Sequence, residues 1–229
     1  MQFALIDNSA GAKTTNGSSL TPEVLQQIAA SATVFLNRDV SAYWGLPVGA
    51  LVRVSNGLDI QPGEWAFSLL PALPNAPGAI AYHDVNGQGV PVLFDGVTLS
   101  DSLSGPGNSV SVAITHELAE TMGDQACNLW ADNGGGSEFA VELCDAVESY
   151  DYEINGVYVS DFVLPAFFNP THAGPFDQMG KVTTPFQTAN GYQITRTSGT
   201  GETQVQGHAR RLEKRRHPDS RTYRRGARL

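Results

Sequence analysis

Between Glu117 and Lys181 the sequence contains no lysine and no arginine, although the interval also holds Glu120, Asp124, Glu138, Glu142, Asp145 and Glu148. So long an acidic stretch repels itself unless it binds something positive. Cysteine is almost as scarce. Cys127 and Cys144 lack C-x-x-C spacing, which argues against a disulfide framework and a thiolate zinc site and leaves reduced thiols as the expectation. Nowhere do about 18 apolar residues run together, so no membrane-spanning helix and no membrane partner are expected. The opening MQFALIDNSAGAK has no basic region followed by a long apolar run, so synthesis and folding in the cytoplasm are expected, without Sec-type export.

What is present suffices for a core. With 229 residues and 41% hydrophobic content, the chain can hold one full domain, or one domain with an appendage. The net charge of −9 is unevenly divided. Residues 208–229 carry nine Lys/Arg against Glu213 and Asp219, a balance of +7, and leave −16 on the rest of the chain. We therefore expect a domain over 1–200 and, over 201–229, a linker and basic arm. An arm of this kind contacts nucleic acid or an acidic neighbour, or else acts as a solubilising tail or folds back on the acidic body.

Along the chain, Phe3 to Ile6 reads as a strand, and Thr21 with Pro22 starts a helix expected to run to about Arg38. Extended segments follow at 50–54, 65–70, 79–85 and 90–94, with Asn86-Gly87-Gln88-Gly89 closing a hairpin between the last two. The stretch Asn108 to Asp124, NSVSVAITHELAETMGD, repeats Val110, Ile114, Leu118 and Met122 every four residues. It predicts a helix capped by Asn108 or Ser109 and ended near Gly123. Setting His116 at zero, Glu120 lies at roughly 40° and Glu117 at roughly 100°, away from the apolar stripe.

Those polar residues can be an ordinary solvated helix face. Against that stands the crowding of Glu117, Glu120 and Asp124 into the last turns, where the helix dipole disfavours anions and no cation lies within a turn. A histidine and a carboxylate four residues apart reach one metal ion together, and Glu117 is then left beside it to activate a water. The pattern is H-E-x-x-H with Glu120 in place of the second histidine. Glu138, Glu142, Asp145 and Glu148 would form a second acidic face if helical. Tyr152 to Val159 around Asn155-Gly156 reads as a tight hairpin, and 197–206 as linker. Tyr150, Tyr152, Tyr158 and His172 are candidates to hydrogen-bond an oxyanion, although each residue type is more often structural.

The order helix, strands, motif-bearing helix resembles the zincin fold of metallopeptidases over roughly residues 20 to 170. HELAETMGD, VELCDAVE and INGVYVSDFVLPAFF together look like HExxE proteins encoded by tailed bacteriophages. The resemblance implies an α+β fold in which a packing helix and a mixed twisted sheet precede the active-site helix, with an edge strand above the cleft at 79–85, which contains His83, or at 90–94. His83 itself is expected at the surface and not as a ligand. A gluzincin-type third ligand, some twenty residues past Glu120, falls on Glu142, with Asp145 orienting His116; Asp145 or Asp124 as the third ligand is the competing assignment. The implied activity is metal-dependent hydrolysis of a peptide or protein substrate, with His116, Glu120 and Glu142 or Asp145 on the metal and Glu117 as general base. Zinc is the expected ion, and the harder, more anionic donor set makes manganese or calcium competitive. The alternative is a virion structural or assembly protein that keeps the scaffold with little or no catalysis and docks on virion subunits or nucleic acid through 208–229.

Overall fold

Five segments rich in β-branched and aromatic residues form the first sheet: Gln2–Asp7 (β1), Leu51–Ser55 (β2), Glu64–Leu70 (β3), Ala81–Val85 (β4) and Pro91–Gly96 (β5). The computed structural model describes residues 1–74, 76, 78–197 and 201–206, so the basic arm at 208–229 lies outside the described residues. The strand order is β2-β1-β3-β5-β4, with β1, β2, β3 and β5 parallel and β4 antiparallel to β5. Inner strand β1 is buried on both faces, as is usual for parallel strands. The fold is α+β, as expected.

The first helix, Pro22–Val34 (α1), begins where the Thr21 hydroxyl accepts from the Val24 amide, and it packs Leu25, Ile28 and Ala32 inward. It does not stop at Arg38. A π-helical turn, Phe35–Val40, carries it into Ser41–Trp44 (α2), which ends on left-handed Gly45. Asn37, in the wide turn, accepts from the Gly49 and Ala50 amides and donates to the Thr33 and Ala50 carbonyls. The widened turn is thereby tied to the entry of β2.

The helix Val110–Gly123 (α3) is capped by Ser109, whose hydroxyl accepts from the Val112 amide at 3.3 Å. Its apolar face, Val110, Ile114, Leu118 and Met122, joins Phe3, Leu5, Phe67, Leu69 and Leu93 in the main core. A second side of α3 is also covered, by the hairpin Asp151–Ile154 (β8) and Val157–Ser160 (β9). Ser111 donates to the Tyr158 carbonyl at 2.7 Å, and Thr115 accepts from the Ser160 amide at 2.9 Å. The expected Asn155-Gly156 turn closes this hairpin with φ of 53° and 81°, the left-handed pair that a two-residue turn of this hand needs.

The acidic helix face expected from Glu138, Glu142, Asp145 and Glu148 does not form. Glu138 lies on the strand Ser137–Ala140 (β7), Glu142 in the loop after it, and Asp145 in the 3-10 turn Asp145–Val147. Glu138 also has a cation, Arg196, at 2.6 Å. β7 belongs to a four-stranded sheet with Trp130–Asp132 (β6), Tyr192–Thr197 (β10) and Thr203–Gln206 (β11), in the order β11-β10-β7-β6. Thr203–Gln206, expected to be linker, is therefore a strand paired to β10, and the sheet crosses the boundary drawn at residue 200. No helix among the described residues is long and apolar enough to cross a membrane.

Candidate metal centre

The register of the β4–β5 hairpin decides what faces α3. His83 pairs with Leu93 and Ala81 with Asp95, and all four are buried on the side of the sheet that α3 packs across. His83, expected at the surface, is 2% exposed and enters the site. Its Nδ1 lies 2.9 Å from Glu117 Oε2 and 3.4 Å from Glu120 Oε2, and its Nε2 lies 3.7 Å from Glu142 Oε2. One clue was available in the sequence: His83 has the same strand parity as Ala81, and the turn at 86–89 fixes β4 against β5.

From α3, His116 reaches the same cluster one turn before Glu120, as their spacing predicts. His116 Nε2 stands 3.2 Å from Glu120 Oε1 and 3.3 Å from Asp145 Oδ1. Glu120 is further anchored by the Cys144 amide, which donates to Oε1 at 3.2 Å. Two glycines let the ligand-bearing loop approach. A Cβ on Gly123 would overlap the Leu143 side chain, and one on Gly191 would overlap the Asp145 carbonyl.

The candidate ligands sort into two sets, His116–Glu120–Asp145 and His83–Glu120–Glu142, with the potential donor atoms of each within 4.8 Å of one another. Glu142 and Asp145 are both in the centre but belong to different sets. Asp124 belongs to neither; its Oδ2 accepts from the Leu129 amide at 2.7 Å. Three of the four residues considered for an oxyanion have their side chains engaged elsewhere. Tyr152 donates to Asp39 at 2.7 Å, the Tyr150 hydroxyl accepts from Asn190, and exposed His172 accepts from the Gly174 amide.

Burial sets the electrostatics. It raises the Glu117 carboxyl above the usual carboxylate range, with His83 opposing. Burial and the charge of Glu120 push Asp145 well up. Glu120 goes the other way: burial would raise it, but the facing His116 and His83 hold it well below the ordinary value. Burial alone would lower both imidazoles. Cys127, Glu117 and Glu120 nevertheless hold His83 well above its ordinary value, and Glu120 and Asp145 do the same for His116. Asp95, fully buried on β5, is raised by burial and by the nearby charge of Glu117, and neither of its carboxyl oxygens has a hydrogen-bond partner among the described residues.

A cleft of 460 Å³ opens over this cluster, with His116 and Glu117 in its wall beside Ala81, Asn108, Glu148 and Tyr192. Imidazole and carboxylate donors this close, and this dry, fit a divalent cation with nitrogen and oxygen ligands. Comparison of the chain with protein-family models, curated proteins and solved structures finds no match.

Proposed function

We propose that the protein is a zincin-like, metal-dependent hydrolase acting on a peptide bond. The observation that carries the proposal is the His116–Glu120–Asp145 set, with both acids buried and with His116 and Glu117 in the cleft wall. In this reading His116, Glu120 and Asp145 hold the ion, zinc in the first place and manganese or calcium as competitors. When bound, the ion supplies Lewis-acid polarisation of a carbonyl and of water. Glu117, kept basic by its dry surroundings and oriented by His83, takes the proton from the attacking water and passes it to the leaving amine. The substrate lies in the cleft between Ala81 on β4 and Tyr192 on β10.

The test is elemental analysis and digestion of a peptide library by wild type, His116→Ala and Glu117→Gln. His116→Ala should lose the ion. Glu117→Gln should keep it and hydrolyse at least about 100-fold more slowly, the usual range for removing a general base. Unchanged hydrolysis by Glu117→Gln would remove that residue from the mechanism.

A second reading is favoured by the depth of the ligands, since Glu120, Glu142 and Asp145 are only 3–4% exposed. In it the ion is a structural tie in a virion structural or assembly protein that docks through residues 208–229. A wild-type protein that binds metal, melts lower without it and cleaves no peptide would favour this reading.

A further inference from the structure

We infer that the centre takes two divalent cations bridged by the Glu120 carboxylate, one held with His116 and Asp145 and the second with His83 and Glu142. This rests on reading His116, Glu120 and Asp145 as a cation site, and goes beyond it. Its main support is the divergence of Glu120: Oε1 faces His116 Nε2 at 3.2 Å, while Oε2 lies on the His83 side, 3.4 Å from Nδ1; that nitrogen is engaged by Glu117 at 2.9 Å, which leaves His83 Nε2, 3.7 Å from Glu142, for the second ion. Each oxygen therefore belongs to its own complete set of one imidazole and two carboxylates, and the two sets share no other residue. A single ion centred on either set leaves the other set's histidine and second acid outside its coordination. A carboxylate bridging through its two oxygens suits metals about 3.5–4 Å apart, the spacing of two-metal hydrolytic sites.

Charge supports the same count. Asp95, Glu117, Glu120, Glu142 and Asp145 are all at most 6% exposed around two imidazoles, and imidazoles that ligate metal are neutral. One dication can offset at most two carboxylate charges and two at most four, so the second ion lets more of these five buried acids ionise. Asp95 is an independent sign that more positive charge is wanted on the β4 side. It is fully buried on the α3 face of the sheet, diagonal to His83 across the β4–β5 pair, and its two oxygens lack hydrogen-bond partners among the described residues. A buried carboxyl with nothing bonded to it is costly, and a cation held at His83 supplies an opposite charge on that side of the sheet.

The experiment strips the full-length protein with a chelator, reloads it with Mn²⁺ alone, and counts ions per chain by elemental analysis while recording the electron paramagnetic resonance spectrum. Two manganese ions per chain with an exchange-coupled spectrum are expected in wild type. His83→Ala and Glu142→Gln should each fall to one ion with an uncoupled six-line spectrum. One ion in wild type, retained in His83→Ala and lost in His116→Ala, overturns the second site and leaves the proposed hydrolase site standing. One ion lost equally in both histidine variants means a single ion shared by the two rings, and overturns the bridge. No ion in wild type overturns both readings. Should the variants fail to fold, stoichiometry and spin coupling of the wild type decide the question alone.

Discussion

Arg53 and Glu120 sit at the centres of two carboxylate clusters that are neutralised in opposite ways. On the first sheet, Arg53 forks onto Glu64 at 2.5 and 2.6 Å and reaches Asp59 at 3.2 Å, so each acid there meets a guanidinium. Both acids are held below their usual values, Glu64 chiefly by its hydrogen bond from Arg53 and Asp59 chiefly by one from Ser55. Around Glu120 the partners are two imidazoles and further carboxylates, and the pull on neighbouring groups is upward at Glu117, Asp95 and Asp145. A cluster settled by a fixed cation is complete within the chain. One settled by imidazoles, which exchange protons for metal, is on the proposed reading completed from outside.

Metal removal is the harshest way to break this contrast. At a free-ion concentration 1,000 times the dissociation constant, binding stabilises a fold by about 4 kcal/mol. Chelation should therefore lower the melting temperature by roughly 8–16 °C at this chain length, and re-addition of the ion should restore it. A chelated protein that melts unchanged would put both clusters in the same class.

Asp161 offers a third arrangement, and the next largest effect. Burial first, and then the neighbouring Asp177, push its carboxyl up to about 8. An acid whose folded value lies above its unfolded one of about 4 binds its proton more tightly when folded. Its contribution to stability is then full below about pH 4 and is lost as pH climbs to about 8. The slope is at most about 1.4 kcal/mol per unit, or about 3 kcal/mol between pH 5 and 7. Asp161→Asn keeps an oxygen for the Phe162 and Met179 amides, and should flatten that slope in urea titrations at several pH values. A slope identical to that of wild type would mean that Asp161 is ionised throughout.

Gly191→Ala sharpens the comparison from the packing side. The new methyl group meets the Asp145 and Ala146 backbone, which must move, at a cost of about 2 kcal/mol. Because Asp145 moves with that backbone, metal affinity should fall alongside the melting temperature. Equal affinity in calorimetric titration would detach the turn from the site. The smallest effect is expected from Glu138→Gln. Its pair with Arg196 is another fixed-cation pair, but both side chains are well exposed, at 45% and 39%. The melting temperature should drop by only a degree or so, and the difference should shrink in molar salt.

Much of this architecture is legible in the sequence, for local reasons. α3 and its Ser109 cap, the Asn155-Gly156 hairpin and the strand segments each follow from spacings within about a dozen residues. The pairing of His116 with Glu120 is equally local, being one helical turn. The surface position expected for His83 fails because its burial depends on β4 lying at the end of a five-strand order under α3, a relation between segments more than twenty residues apart. The 4-3-3 spacing from Glu138 to Glu148 misleads for a different reason. A short strand, a loop and a 3-10 turn also deliver side chains at such intervals, and nothing within the segment separates that outcome from a helix. Asp161 and Asp177 meet where Val163 bridges to Asp177 across a loop, so their proximity is not readable from spacing either.

The missing side chain at Gly123 has one more consequence. Leu143 fills that space at the foot of α3, so a hydrocarbon contact clamps the segment bearing Glu142 and Cys144 to the helix bearing Glu120. The seat proposed for an ion is thus moulded by chain folding itself. Capture should then proceed at a rate set by shedding of the ion's own water, with no slow rearrangement of the polypeptide to wait for.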